Sequence, residues 1–166
     1  TEVIALADQL RESTAMENKL IKEKIYANVI DTALKLMPPS TKDEVPYFNF
    51  SSLQNAMAAL EKTTNHLSDA LAKAKLDGAK QDDVNKMLYK AEQKLLLENG
   101  LPRRGWYKHA IYAPGFYTGY GVKTLPGIRE AIEQRNWKEA QEQIEIDANV
   151  IKTFSDYLEG IEKSIQ

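Results

Sequence analysis

No cysteine occurs among the 166 residues. Disulfides and cysteine-ligated zinc are therefore excluded. Histidine, the commonest metal ligand, occurs only twice, as His66 and His109, and their spacing does not resemble a zinc-binding helix. No apolar run approaches the ~18 residues of a membrane-spanning helix, and no signal peptide is visible at the start. Neither sign of charge dominates: 22 Lys and Arg stand against 24 Asp and Glu, for a net charge of -2. Bulk electrostatics thus give no footprint for a nucleic acid. No serine sits in a Gly-x-Ser-x-Gly turn, and no Gly-x-Gly-x-x-Gly joins a strand to a helix. Repeats and low-complexity tracts are also absent.

What is present is helical periodicity. Val3, Leu6, Leu10, Leu20, Ile21, Ile25, Val29, Ile30 and Leu34 recur at three- and four-residue steps. They predict helix over 2–37, as one long element or two shorter ones, stopped by Pro38-Pro39. A second helix is predicted from Ser51 or Ser52, with Leu53, Met57, Leu60, Leu67, Leu71 and Ala74 on one face and Gly78 as a left-handed cap. A third starts at Asp82 or Asp83 and carries Val84, Met87, Leu88, Ala91 and Leu95 until Asn99-Gly100. Pro126 suits the first turn of a short helix reaching about Gln134. Trp137, Ala140, Ile144, Ala148, Ile151, Phe154, Leu158, Ile161 and Ile165 form a last long stripe. The expectation is an all-α chain: a single helical domain over 1–166, built as an antiparallel helix bundle. One short strand at Ala110–Ala113 is the only extended segment expected.

Leu101–Ile128 breaks this pattern. It holds four of eight tyrosines, three of six prolines, five of eight glycines, one of two tryptophans and one of two histidines. A long segment without helical period is usually functional or disordered, and its aromatic content argues for order. The predicted ordered loop spans about 101–124. Its glycines are read as turn formers rather than a phosphate cradle. Arg103, Arg104 and Lys108 are read as an anion-facing or interface patch, too small a footprint for nucleic acid. His109, between Tyr107 and Ile111-Tyr112, is expected to be a buried, hydrogen-bonded residue that holds the loop. His66, on the second helix beside Leu67, is expected to be a surface or boundary residue rather than a metal ligand. Apolar faces at Ile21, Ile25 and Val29, and at Phe154, Leu158 and Ile161, are the candidate self-association surfaces. No residue of this chain stands out as a catalytic group or metal ligand.

The order Leu101-Pro102, Arg104, Trp106-Tyr107-Lys108-His109, Ile111-Tyr112-Ala113-Pro114, Tyr120 and Leu125-Pro126-Gly127-Ile128 resembles the C-terminal dimerisation domain of the transferrin receptor and glutamate carboxypeptidase family. The resemblance is specific over 101–132 and looser over 47–165. It implies a homodimerising helical module of a larger, peptidase-like protein; the first residue, Thr1 rather than Met, fits an excised piece. It also implies that Trp106, Tyr107, His109, Tyr112 and Pro114 are structural loop residues. The 112–124 loop would contact a protease-like domain of the same parent chain. The two catalytic zinc ions, if the parent is active, belong to that domain, so this chain is expected to need no cofactor, to have no activity of its own and to touch no membrane. A secretory or vacuolar membrane is the compartment suggested by analogy.

In the family's glutamate carboxypeptidases a Lys-Tyr pair in this loop binds glutamate carboxylates. Ungapped spacing places that pair on Gly119-Tyr120, with the tyrosine kept and the lysine gone. An accessory substrate-binding part of an active zinc peptidase and a free-standing helical adaptor are the alternative functions.

Overall fold

The computed structural model describes residues 2–25 and 39–165. They form two compact units, Thr1–Phe48 and Asn49–Gln166. The elements are α1 (Glu2–Lys22), α2 (Ser51–Lys73), α3 (Gly78–Lys90), a 3-10 helix (Ala91–Leu95), β1 (Tyr112–Pro114), β2 (Val122–Thr124), α4 (Pro126–Glu133) and α5 (Trp137–Ile165).

In the first unit, α1 is strapped by the extended stretch that follows residue 39. Asn18 does the work of a strand: its amide donates to Lys42 O at 2.8 Å and its oxygen accepts from Lys42 N at 2.9 Å. Seven residues earlier on α1, Arg11 donates to the carbonyls of Val45 and Pro46. The strap thus runs antiparallel to the helix, with its backbone groups satisfied by side chains. The predicted run to residue 37 is interrupted, because α1 ends at Lys22 and Lys24 takes a left-handed φ of 55°. The remainder of that run, including Val29, lies outside the described residues.

The second unit is the helical bundle, all-α apart from one small hairpin. Its main pair is α2 on α5. Asn49 exchanges hydrogen bonds with Gln141, and Ser155 Oγ donates to Thr63 Oγ1, each pair 92 residues apart. A constant offset means that α2 and α5 run parallel. The expected antiparallel order holds instead for α3 on α5: Lys80 Nζ reaches Ile165 O, and Tyr157 OH reaches Met87 O. The reason is topological. α3 and the 101–124 segment together carry the chain back along the bundle before α5 begins.

Helix starts differ from expectation in one place. Gly78 does not cap α2, which ends at Lys73 with Ala74 extended. Gly78 opens α3, whose cap is Asp77, its carboxylate accepting from Lys80 N at 2.9 Å. The core gathers Leu67, Val84, Ala91, Leu158, Ile161 and Ile165, with Leu60, Met87, Phe154 and Tyr157 at its edge. Leu158 and Ile161 are therefore consumed inside the bundle and are not available as a self-association face. Phe154 is half-buried against the same core, whereas Met57, expected inside, is exposed.

One core residue was not foreseen. Buried positions on α5 include Ala140, Ile144, Asp147, Ile151, Leu158, Ile161 and Ile165, a three/four repeat. Asp147 is 0% exposed and neither carboxyl oxygen has a hydrogen-bond partner. Burial alone pushes its pKa up to about 8, so the folded chain carries it as a neutral acid at pH 7. Between the ordinary carboxylate range and about pH 8 the unfolded chain has lost this proton while the folded chain keeps it. Its contribution to stability therefore falls as pH rises through that window, and levels off above it. Asp147→Asn removes the titration. Urea unfolding at pH 5.0 and 7.5 should show a loss of stability in the parent that shrinks by roughly 2–4 kcal/mol in the variant, at about 1.4 kcal/mol per pH unit. Identical losses would mean that Asp147 is ionised in the fold.

Candidate functional site

The segment between the 3-10 helix and α4 is ordered by backbone bonds made before any side chain is considered. Leu97 N donates to Lys108 O, Ala110 N to Leu95 O and Leu101 N to Tyr107 O. Residues 107–110 thus lie back along 95–101. The intervening turn requires Gly100, which has a φ of 71°, and where a Cβ would collide with the Gly105 carbonyl. Tyr112–Pro114 then pairs with Val122–Thr124, antiparallel, Tyr112 opposite Thr124. The strand falls two residues later than predicted. Its tip turns on Gly119, with a φ of 68°.

A buried ion pair fixes this hairpin to α4. Arg104 and Glu130 are 4% and 3% exposed. Arg104 Nη2 donates to Glu130 Oε1 at 2.8 Å, and Nη1 donates to Pro114 O. Phe116 N donates to the same Glu130 Oε1 at 2.8 Å. The guanidinium also lies over the Tyr107 and Phe116 rings, 5.6 Å from each centroid. One arginine and one glutamate therefore hold the backbone on both sides of Gly115, where β1 enters its turn. Next to them Arg103 makes a bidentate bond to Glu139 at 2.8 and 2.9 Å, which raises the arginine's pKa.

The expected basic patch is consequently absent. Arg103 is taken by Glu139, Arg104 by Glu130, Lys108 by Glu98 O and Lys123 by Glu133. Every cation from 101 to 124 is engaged within the chain. Several apolar and aromatic side chains, by contrast, stay open to solvent. Trp106, Tyr117 and Val122 are largely exposed, and Tyr120 is fully so at 101%. Trp106 therefore does not pack as a structural residue, whereas Tyr107 does so beneath Arg104. Gly119 and Tyr120 sit together at the hairpin tip, and a Cβ at Gly119 would meet nothing within 4 Å.

His109 is hydrogen-bonded, as expected, with a side chain 11% exposed. Nδ1 accepts from Ile111 N at 3.2 Å and Tyr112 N at 3.4 Å. Its ring stacks at 3.9 Å on Tyr112, whose hydroxyl donates to Glu92 at 2.7 Å and is held protonated by that bond. The other histidine, His66, lines a groove of about 430 Å³ with Asp69, Lys73, Glu162 and Ile165. Among the described residues no three His, Asp or Glu side chains are grouped to hold a metal ion. What sequence reasoning missed is Glu130. Its signal was faint: a carboxylate within the short helix that begins at Pro126, where steps of four and three residues place it on one face with the buried Pro126 and Gly127.

The contrast between the two arginine pairs is testable. Glu130→Ala leaves a buried guanidinium and the Phe116 amide without their acceptor, at a cost of about 3–5 kcal/mol. Glu139→Ala breaks a solvent-screened pair and should cost below about 1 kcal/mol. Chemical unfolding of both variants checks this, and equal costs would remove Glu130 as the anchor.

Residues 48–159 match the transferrin receptor-like dimerisation domain. A probable glutamate carboxypeptidase of Arabidopsis thaliana is 35% identical over 118 residues, covering 66% of this chain and 17% of the plant protein. A probable glutamate carboxypeptidase of Arthroderma benhamiae is 32% identical over 111 residues, covering 67% of this chain and 14% of the fungal one. The chain thus spans less than a fifth of the length of these curated relatives. The match over about two thirds of its length makes the chain a member of the transferrin receptor-like dimerisation domain family.

Proposed function

We propose that this chain is the dimerisation module of a glutamate carboxypeptidase-like protein, and that its 112–124 hairpin lies against a protease-like domain at the edge of the substrate pocket. The observation that carries the reading is the hairpin itself. Its base is fixed by a buried ion pair, while Tyr117, Tyr120 and Val122 are left exposed. A rigid mount presenting uncovered aromatic surface is what a docking element needs. The chemistry of hydrolysis belongs on this reading to the protease-like domain. Among the described residues no His, Asp or Glu cluster suits a zinc pair.

At the tip, Tyr120 offers a hydroxyl and Gly119 only a backbone N–H. With all four cations of the segment engaged, no ammonium or guanidinium is left to meet a terminal glutamate side chain. The pocket bordered by this hairpin would therefore favour uncharged C-terminal residues over glutamate. In the full-length protein, Gly119→Lys should raise kcat/KM for a peptide ending in Glu relative to one ending in Leu. The positive φ at this position adds roughly 1 kcal/mol of strain, so melting temperature is followed in parallel. Unchanged selectivity, together with unchanged KM in Tyr120→Ala, would leave the hairpin as a packed connection.

Self-association on this reading uses exposed apolar side chains, and Ile25 at the end of α1 is one, with Ile21 half-buried nearby. A standard interface buries about 1,600 Å² in total, more than one helix end supplies, so the module adds to a contact shared with other domains. Sedimentation of the full-length protein should show weaker dimerisation for the double variant Ile21→Glu, Ile25→Glu. An unaltered dimer would move the interface elsewhere.

A further inference from the structure

His109 occupies a position that the proposed function does not use. It lies in the returning 107–110 segment just before β1, and its own imidazole organises the turn between them. Nδ1 is the acceptor for two successive backbone amides, Ile111 N and Tyr112 N. An acceptor nitrogen carries no proton, so the ring is the neutral tautomer with its hydrogen on Nε2. Nε2 is buried and has no hydrogen-bond partner; the nearest carboxylate oxygen, Glu92 Oε1, is 3.5 Å away.

We propose that His109 is an acid-released latch on the aromatic hairpin, because the nitrogen that organises the turn can do so only while the imidazole is neutral. A proton taken up from solvent has only Nδ1 to bind, since Nε2 already carries hydrogen. Nδ1–H would then face the Ile111 and Tyr112 amides, donor against donor. Both amides lose their acceptor at once, and the entry to β1 loosens.

The charged and titratable groups around the ring decide the sign. From the 3-10 helix, Glu92 gains a cationic partner on protonation, which favours the charged ring. Its side chain is 65% exposed, however, and a pair so placed contributes little. From β1, Tyr112 is protonated and already spends its hydroxyl on Glu92. On the ring's own segment, Lys108 turns its ammonium to Glu98 O, and Tyr107 lies under Arg104. Nothing among these compensates the two orphaned amides. Release is confined to the turn, because Pro114 and Phe116 are anchored by the Arg104–Glu130 pair and not by the imidazole. The latch concerns this chain alone and holds whatever covers the hairpin in the parent protein.

Amide exchange of the 166-residue chain at pH 7.5 and 5.5, corrected for intrinsic rates, tests it. Protection at Ile111 and Tyr112 should fall by about tenfold or more, while Ile144 in the α5 core is unchanged. His109→Asn supplies an oxygen acceptor that does not titrate, and should hold its protection at both pH values. Nitrogen NMR of the wild-type imidazole at pH 7.5 should find the hydrogen on Nε2, a readout independent of any variant. Glu92→Gln should leave the acid release in place. A hydrogen on Nδ1 at pH 7.5, equal protection at both pH values, the same loss in the Asn variant, or release abolished by Glu92→Gln would each overturn the latch.

Discussion

The buried pair between Arg104 and Glu130 is the constraint on which the non-helical third of the bundle depends. Charges taken out of water are costly, and an ion pair in a dry interior seldom stabilises more than apolar packing would. What this pair provides is definition. Its two side chains make contacts to the backbone at Pro114 and Phe116 that no apolar pair could replace. Those two residues flank the turn out of β1. A segment with few buried apolar side chains of its own therefore acquires one conformation by hydrogen bonding. Trp106, Tyr117 and Tyr120 are then left to face solvent.

Legibility in the sequence followed the same division. α4, α5 and the general span of α2 were readable, because their apolar steps and the proline at position 126 are local signals. The exact cap of α3 was not, since Asp77-Gly78 is as good an end as a beginning until the path of the chain is known. The importance of 101–124 was evident from composition, but its internal logic was hidden. Arg103, Arg104 and Lys108 look like a patch in sequence, and only folding reveals that Glu139, Glu130 and the Glu98 carbonyl have taken them. Leu158 and Ile161 show the reverse failure: a hydrophobic stripe states that a face is covered and not by what.

Asp147 marks where periodicity misleads most. A carboxylate between Ile144 and Ile151 reads as a solvent-facing interruption, yet it occupies a buried step of the α5 row. Such a residue weakens the bundle at neutral pH. The Arg104–Glu130 pair and Asp147 are thus opposite uses of buried carboxyl groups. One is charged, matched and shape-defining; the other is neutral, unmatched and a standing cost. Both lie on the two helices that follow the hairpin.

The parallel pairing of α2 with α5 has a consequence in time. Helical proteins fold fast when their contacts are local, and most helix pairs are hairpins joined by a few residues. Here the partners that form the largest contact are 92 positions apart. On a ribosome moving at 5–20 residues per second, α2 would wait roughly 5–20 s for its mate to be made. During that interval the apolar face of α2 lacks the helix it packs against most. A mainly helical chain thus carries the ordering problem of a β-protein. Its last-made helix closes the structure.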